Sequence, residues 1–384
     1  MMRLNSSLAL GFTLWTVFAS ATSLVSRPAF ALDNILHPYA TVRSSGMGGL
    51  RITTGLYEEN FFSNPARVTQ NPQWRLTVLD LTAETTSTTL STISELTKKN
   101  VDLAQIASTA GKNLHARIQT TLPAYYLPHP FGSKMSYAVG FLMSTQTDVI
   151  LGNNYQFVPS VVTDIGPAIT VGRTFLPNDE LSVGITGHLT YRLGTTQAVS
   201  FLQLLQGQSL SPSTLGGDGA QVDFDLGGTY DLPFNWNDWK FSTALTINDL
   251  LGGAYTNVGI HKLDPNANGD YRAPPAQPRA FGLGVSMTKP ELGQFKNTLV
   301  ALEVTDMGNN LNGSFFRLLH IGAETRYGVL LPRVGINQGY WTAGLGLDLK
   351  ALQIDVSTYG EEMSLNTGGY QDRRFALKLG IGVQ

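Results

Sequence analysis

The sequence predicts an all-β fold, a 14-stranded antiparallel transmembrane β-barrel with an N-terminal plug. Three observations predict it. Only 14% of the 384 residues are charged although 42% are hydrophobic, so uncharged polar residues and glycine make up the difference. Apolar and polar residues alternate over roughly eight to twelve residues, the period of a strand with two different faces. The connections between these segments are mostly short and long in turn, as in outer-membrane barrels.

Composition also excludes several classes of function. The net charge is −2, whereas a nucleic-acid-binding protein carries a basic balance, so we expect no nucleic acid as a partner. The chain has no cysteine, which removes disulfide scaffolds, thiolate metal sites and thiol nucleophiles. The six histidines have no metal-ligand spacing, and no hydrolase or nucleotide-binding motif occurs. We therefore expect that the protein is not an enzyme.

Residues 1–31 are expected to be a secretory signal peptide. Arg3 lies in a short positive segment, an uncharged and largely apolar stretch follows from Leu8, and Ala29-Phe30-Ala31 offers a cleavage site before Leu32. Ala19-Ser20-Ala21 is a second candidate cleavage site. An uncleaved membrane anchor is the alternative, but threonine and serine interrupt the apolar stretch.

Residues 74–384 are predicted to form the barrel. The last segment shows the alternation best, because apolar residues occupy every second position from Phe375 to Val383. Periodicity and turn residues together predict strands near 75–84, 114–128, 135–147, 161–175, 181–193, 221–231, 239–248, 279–288, 297–305, 318–328, 331–338, 340–350, 352–360 and 373–384. A secreted all-β protein is the alternative, since a β-sandwich alternates too.

The connections divide between the two rims of this barrel. Its long connections include 194–220 and 249–278, and the first one, 85–113, contains a segment from Leu90 to Ile106 with a helical pattern. An even number of strands puts both ends of the wall on the rim with short turns, which is the periplasmic rim. Aromatic residues near strand ends predict girdles at the membrane interfaces; they include Tyr125, Tyr126, Trp236, Trp239, Tyr340 and Trp341.

Residues 32–73 lack sustained alternation and must be placed somewhere, because a barrel this wide needs its lumen filled. They contain Gly46-Met47-Gly48-Gly49 and Asn64-Pro65-Ala66. The glycines permit positive φ and close backbone approach, and Pro65 restricts Asn64 to extended geometry. Ordinary turns are the alternative interpretation of both motifs.

These two motifs resemble the N-terminal hatch of the FadL-like family, the outer-membrane transporters of long-chain fatty acids and hydrocarbons. The signal peptide, hatch and fourteen strands resemble the family as well, and the resemblance implies the outer membrane of a Gram-negative bacterium. The Gly-Met-Gly-Gly form is closer to TraF-like and PorV-like relatives, in which fatty-acid transport is not the implied activity. The resemblance therefore indicates the family more strongly than the substrate.

In the family, two long distal loops form a hydrophobic landing groove. The resemblance places this groove at Phe201, Leu202, Leu204 and Leu205 of the first loop and at Leu250 and Leu251 of the second. A physical argument supports a partner for them, because each buried leucine or phenylalanine is worth about 1.5–3 kcal/mol. A short amphipathic helix that caps the barrel mouth is the alternative interpretation.

One loop segment resembles a calcium loop. Asp264, Asn266, Asn268 and Asp270 place oxygens at the early positions of an EF-hand-type loop, with Gly269 at the sixth. Pro275 occupies the position that needs a bidentate carboxylate. Two interpretations stay open, a weak calcium site and a turn-rich surface loop. No other cofactor is expected.

The expected function is an outer-membrane channel for passive uptake of hydrophobic compounds, with long-chain fatty acids as the default substrate class. The alternative is a structural barrel, associated with secretion or conjugation, that docks partner envelope proteins. The expected partners are outer-membrane lipid and hydrophobic small molecules, and the expected state is a monomer. His188, Thr186 and Thr190 share one strand face and are candidates for a catalytic group, but a row of polar residues that face the lumen explains their spacing without catalysis.

Overall fold

The structure, a computed structural model, describes residues 39–96, 112–151, 156–195, 199–200, 216–256, 273–310, 313–364 and 367–384. Within these ranges, no helix is both long and apolar enough to cross a membrane. The predicted signal peptide and residues 32–38 lie outside them.

Antiparallel strands dominate the described chain. The barrel strands are β1 Arg75–Thr86, β2 Asn113–Leu127, β3 Met135–Leu151, β4 Gln156–Phe175, β5 Leu181–Thr195, β6 Gly216–Trp236, β7 Trp239–Asn248, β8 Ala280–Leu292, β9 Phe295–Val304, β10 Leu319–Arg326, β11 Leu330–Asn337, β12 Tyr340–Asp348, β13 Leu352–Glu362 and β14 Gln371–Val383. The α-helices are α1 Val42–Gly46 and α2 Ser87–Leu96. The 3₁₀ helices are Tyr57–Phe61, Pro65–Gln70, Pro130–Gly132 and Phe315–Leu318.

The wall closes on itself. Each strand pairs antiparallel with its neighbours, and β1 pairs with β14 in a register that sets Leu76 opposite Val383. The two-residue strand Val199–Ser200 adds only a short pairing with Gln156–Phe157 at the end of β4. Closure removes sheet edges, so every strand has backbone partners on both sides without water. The predicted 14-stranded antiparallel barrel is confirmed.

The wall has an apolar outside and a polar inside. In β14 the side chains of Phe375, Leu377 and Ile381 are exposed, while those of Arg374 and Lys378 are buried in the lumen. An apolar outer face is favourable in contact with lipid, and outer-membrane barrels typically have a polar inner face. The protein is thus a β-barrel of the outer membrane of a Gram-negative bacterium.

The predicted aromatic girdle needs two corrections, at Tyr126 and at Tyr340, whose hydroxyl donates to buried Glu362 from the lumen face of β12. Tyr125, Trp236 and Trp341 are exposed on the outside of the wall. Tyr126, however, is fully buried in the lumen, where its ring lies 5.3 Å from Tyr57 and 5.6 Å from Phe61 between centroids. Successive residues of a strand face opposite sides, so Tyr125 and Tyr126 cannot share one face.

Residues 39–73, here called the plug, lie inside the barrel. Met47 and Leu50 are fully buried, and they pack with Leu299 and Ala301 of β9. A second cluster joins Phe61 of the plug to the inner faces of β2, β3 and β4. The plug therefore fills the lumen on several sides. That it moves as a hatch stays a prediction.

The helical prediction for the first long loop falls partly inside the described residues. The structure has α2 at Ser87–Leu96, directly after β1, and residues 97–111 lie outside the described ranges. Thr86 precedes this helix and caps its first turn, since the Thr86 hydroxyl accepts a hydrogen bond from the Thr89 amide at 3.1 Å.

Candidate functional site

A cavity of about 70 Å³ lies between the plug and the long loop that follows β7. Tyr39, Phe61 and Phe62 of the plug form one part of its lining. The opposite part comes from β4, β5 and β6 and from Tyr255 and Gln277 of the loop. Strand alternation turns every second wall residue into the lumen, which is why polar side chains face the plug here.

The plug contributes an apolar surface to the cavity. The rings of Tyr39 and Phe62 stack with centroids 5.3 Å apart and planes at 21°. Phe61 is 2% exposed and packs in the cluster that also contains Leu142 of β3. Stacked rings in offset geometry are stable beyond the area that they bury. The arrangement gives this part of the cavity a flat apolar surface.

An ion pair forms the wall of the cavity next to the loop. The Arg192 guanidinium donates to both carboxylate oxygens of Asp164, with Nε and Nη2 each at 2.6 Å. Its remaining contacts are to the Pro275 carbonyl at 2.9 Å and to Gln277 Oε1 at 3.1 Å. The same guanidinium lies 4.7 Å from the centre of the Tyr255 ring. Arg192 thus fixes the described end of this loop against the barrel wall.

A second charged group in the cavity consists of His188, Asp225 and Asp249, and its charged atoms lie farther apart than those of the Arg192–Asp164 pair. His188 Nε2 lies 3.7 Å from Asp225 Oδ2 and 3.9 Å from Asp249 Oδ1. The backbone amide of Asp249 donates to Asp225 Oδ1 at 2.8 Å, which holds the two carboxyl groups side by side. Burial and the neighbouring Asp225 raise the pKa of the Asp249 carboxyl to about 8.

Below the cavity, Glu303 of β9 holds the plug by its backbone. Its carboxylate accepts hydrogen bonds from the amides of Arg51, Ile52 and Thr53 at 2.8, 3.0 and 2.7 Å, and from the Thr53 hydroxyl. Glu303 is fully buried. Because hydrogen bonds to a charged group are worth about 1.5–3 kcal/mol each, this residue is a principal anchor of the plug.

Ion pairs tie the plug to the wall farther along the lumen. Arg43 of α1 contacts Glu59 of the plug at 3.1 Å and Glu324 of β10 at 2.8 Å, and Glu324 also pairs with Arg333 of β11. Burial raises the pKa of the Glu59 carboxyl, and the charge of Arg43 opposes this rise. Lys378 of β14 similarly joins Glu58 of the plug to Asp80 of β1.

The residues of the predicted hatch motifs all lie inside the barrel. Gly48 has φ +77°, and a Cβ atom there would come within 2.3 Å of the Ile321 carbonyl oxygen. Gly46 meets Gly344 of β12, and Gly49 with φ +86° lies beside His320. Met47 is fully buried.

The Asn64-Pro65-Ala66 motif begins a 3₁₀ helix of the plug. Asn64 is extended, and its side-chain oxygen accepts from the Ala66 amide at 3.0 Å. Its amide nitrogen donates to the Ile52 carbonyl at 2.8 Å. Pro65 and Ala66 pack so closely on β5 that a Cβ atom at Gly184 would lie 2.4 Å from Pro65. Both motifs therefore position the plug, and their role in gating stays a prediction.

The predicted landing groove is described only in its second half. Leu251 is 57% exposed, and the Leu250 amide donates to the Phe224 carbonyl at 2.8 Å. Neither residue lines the cavity. Phe201, Leu202, Leu204 and Leu205 lie outside the described residues, as do Asp264, Asn266, Asn268 and Asp270 of the predicted calcium loop.

Sequence reasoning missed most of the cavity. It placed His188 on a polar strand face, but it did not single out Tyr39, Phe62 or Asp225. The available signal was a charged residue at a lumen-facing position of consecutive strands, as with Asp164, Arg192 and Asp225. Which of these meet depends on strand register, and register is not visible in one strand at a time.

Comparison with known proteins agrees with the architecture. No protein-family model and no curated protein matches the sequence. The fold is similar to the deltaS2 mutant of the monoaromatic hydrocarbon channel TodX, at 12% identity and a TM-score of 0.50 over 90% of this chain and 98% of that one. TodX is a Pseudomonas putida protein, described elsewhere as a toluene transporter. The resemblance to the FadL-like family is confirmed at the level of the fold.

Two further channels have weaker structural similarity. The monoaromatic hydrocarbon channel CymD is 13% identical, with a TM-score of 0.49 over 91% of this chain and 98% of that one. The toluene transporter TbuX of Ralstonia pickettii is 8% identical, with a TM-score of 0.40 over 92% of this chain and all of that one. At such identities the likeness concerns the fold alone.

Proposed function

We propose that this barrel is a channel for passive uptake of hydrophobic compounds across the outer membrane. The observation that carries the proposal is the stacked aromatic face of Tyr39 and Phe62, which lies on the plug and lines the lumen cavity. Tyr39 and Phe62 pack with the apolar cluster around Phe61, and they also give the cavity an apolar lining that a hydrophobic molecule can contact. Fold similarity to a hydrocarbon channel supports the same class of substrate.

Passage along this route requires the plug to shift. The cavity of about 70 Å³ is smaller than the roughly 150 Å³ that holds a benzene ring in an engineered protein core. Below it, the plug is anchored to β9 through Glu303 and to β10 through Arg43. The compound therefore enters the cavity only as the plug shifts, with its concentration gradient as the driving force.

The size of the cavity favours a compact compound. A single aromatic ring needs less displacement of Phe62 and Leu142 than a long acyl chain does, because less volume must be opened. We therefore propose small aromatic hydrocarbons as the first substrate class. Long-chain fatty acids are the second class, which the distal leucines around Leu250 and Leu251 favour.

Uptake of labelled toluene and labelled oleate by cells with and without the protein tests this proposal. Equal insertion is verified by heat-modifiable migration on a gel. We expect protein-dependent uptake of toluene, and we expect Phe62→Ser to lower it several-fold because the stacked face is lost. Phe131→Ser is the matched control, since Phe131 is fully exposed on the turn between β2 and β3.

The outcomes separate the candidate functions. Uptake of oleate without toluene replaces the small aromatic class by fatty acids and keeps the channel. Uptake of neither compound by correctly inserted protein contradicts the channel. The docking of envelope proteins then becomes the leading function, and stable partners in a detergent pull-down would support it.

A further inference from the structure

Three metal-ligating side chains converge on the cavity from three elements of the wall. His188 comes from β5, Asp225 from β6, and Asp249 from the first position after β7. One nitrogen or oxygen atom of each lies within 4.8 Å of the other two. All three residues line the cavity, so the space between them is continuous with it.

No hydrogen bond joins the His188 ring to either carboxylate, so hydrogen bonding between these side chains does not account for their convergence. The distances from His188 Nε2 of 3.7 and 3.9 Å exceed the length of a hydrogen bond. Asp225 is 3% exposed, and within the described residues its Oδ2 atom has no hydrogen-bond partner. The Asp249 carboxylate has none there either. Carboxylate oxygens that line a cavity and accept no hydrogen bond from the described residues are available to a cation.

The charged residues next to His188, Asp225 and Asp249 have hydrogen-bond partners elsewhere. Arg192 is held by both oxygens of Asp164. Asp223, next on the same face of β6, accepts from Gln221 and from the Leu251 amide. Arg51 of the plug also lines the cavity. Three aspartates and two arginines therefore line the cavity, and His188 lies between two of the aspartates.

We propose that His188, Asp225 and Asp249 bind a Zn²⁺ ion. Zinc lies about 2.0–2.2 Å from nitrogen and carboxylate ligands, so two donors that share it are at most roughly 4.2 Å apart. The two distances from His188 Nε2, 3.7 and 3.9 Å, satisfy this limit, and the two carboxylate oxygens lie within 4.8 Å of each other, so an ion requires at most a small approach of the carboxylates. Imidazole with two carboxylates suits a transition cation, whereas Ca²⁺ and Mg²⁺ prefer oxygen ligands alone.

The site is independent of the proposed uptake, but it lies beside the plug. Asn248 precedes Asp249, and its side-chain amide donates to the Ser63 carbonyl of the plug at 2.8 Å. An ion at Asp249 fixes the end of β7 and thereby the hydrogen bond to the plug. Zinc binding and uptake are measured separately, so either result can fail without the other.

Titration of the untagged, chelator-treated protein in detergent with ZnCl₂ by calorimetry tests the site. We expect one saturable equivalent, and we expect His188→Ala and Asp225→Asn each to weaken it at least tenfold, since removal even of outer-shell partners costs that much. Co²⁺ gives a second readout, because its visible absorption reports coordination in the wild type and its loss in these variants. His129→Ala and Asp179→Asn, near the opposite rim, are the matched controls and should keep full affinity.

Two results would overturn the proposal. One is the lack of saturable binding by the wild type at millimolar Zn²⁺. The other is one bound equivalent that persists in both His188→Ala and Asp225→Asn, which would place the ion elsewhere, for example in the predicted calcium loop. Heat-modifiable migration verifies the fold of each variant, and Asp249→Asn replaces either one that fails to fold.

Discussion

Two histidine clusters of the lumen contain the same kinds of residue and differ in how they are filled. On one side, His115 of β2 contacts Glu84 Oε1 through Nε2 at 2.7 Å and Asp148 Oδ1 through Nδ1 at 2.8 Å. On the other side, His188 lies 3.7 and 3.9 Å from its two carboxylates. The first histidine is fully buried among hydrogen bonds, and the second lines a cavity.

Arginines account for the difference. Arg374 of β14 lies within 3.8 Å of Glu84 and Asp148 and pairs with Glu361 at 2.7 Å, and Arg117 adds a contact to Glu84 at 3.5 Å. These guanidinium groups compensate the carboxylates, so the His115 cluster is structural. At His188 the nearest wall arginine, Arg192, is committed to Asp164. A lumen-facing polar row therefore indicates a ligand site only where its charges are left uncompensated.

The largest expected effect is the removal of the arginine that fills the first cluster. Arg374→Met leaves Glu84, Asp148 and Glu361 without their shared cation in a buried setting. We expect the free energy of unfolding to fall by about 3–5 kcal/mol, as for a broken buried ion pair. Urea titration in lipid vesicles measures this. Arg326→Met is the matched control, because its ion pair with Asp348 is about one-third exposed and is worth at most about 1 kcal/mol.

A smaller loss is expected when the first histidine itself is replaced. His115→Leu removes the two short hydrogen bonds to Glu84 and Asp148 but leaves the arginines in place. We expect a destabilisation of about 3 kcal/mol, since each hydrogen bond to a charged group contributes roughly 1.5–3 kcal/mol and leucine recovers some packing. His188→Leu in the same urea titration should cost less than half as much. Equal losses in the two variants would mean that the clusters do not differ in the way described.

The smallest effect is expected in the second cluster. Asp225→Asn in zinc-free protein removes one of two adjacent carboxylates and keeps an acceptor for the Asp249 amide. We expect the free energy of unfolding to change by less than about 1 kcal/mol, because the repulsion that is relieved offsets the hydrogen bond that is weakened. Asp148→Asn, the counterpart in the first cluster, should be clearly destabilising. A loss at Asp225 as large as that at Asp148 would contradict the comparison.

The sequence alone predicted the strands of the barrel wall, but it did not predict which residues meet inside the lumen. Alternation from Phe375 to Val383 specified which side chains face lipid, because strand period alone decides this. Tyr126 and Tyr340 were misplaced because each was assigned to the same girdle as the aromatic residue next to it on the strand. The signal peptide, the residues of the landing groove in 201–205 and the calcium loop lie outside the described residues and stay predictions.

The interior depends on contacts between distant segments. Arg43 and Glu324 are 281 positions apart, and Arg51 and Glu303 are 252 apart. No local sequence pattern predicts such a contact, because the contact depends on strand register and on the path of the plug through the lumen. His188, Asp225 and Asp249 are likewise unremarkable one at a time. The hatch motifs indicated that the chain returns into the lumen, but they did not indicate which wall residues hold it.

A reversible crosslink tests whether a compound passes through the barrel only when the plug moves. The Thr69 hydroxyl of the plug lies 2.9 Å from the Ser182 hydroxyl of β5, and the chain has no cysteine, so T69C with S182C creates a single disulfide. T298C with T325C, whose native hydroxyls are 2.8 Å apart on β9 and β10, links only the wall and is the control.

Uptake of labelled toluene is then measured with each pair oxidised and reduced. We expect that oxidation of the T69C/S182C pair lowers uptake to the level of cells without the protein, that reduction restores it, and that the control pair has no effect. Uptake that is equally fast with the plug crosslinked to β5 would contradict the claim that the plug must move.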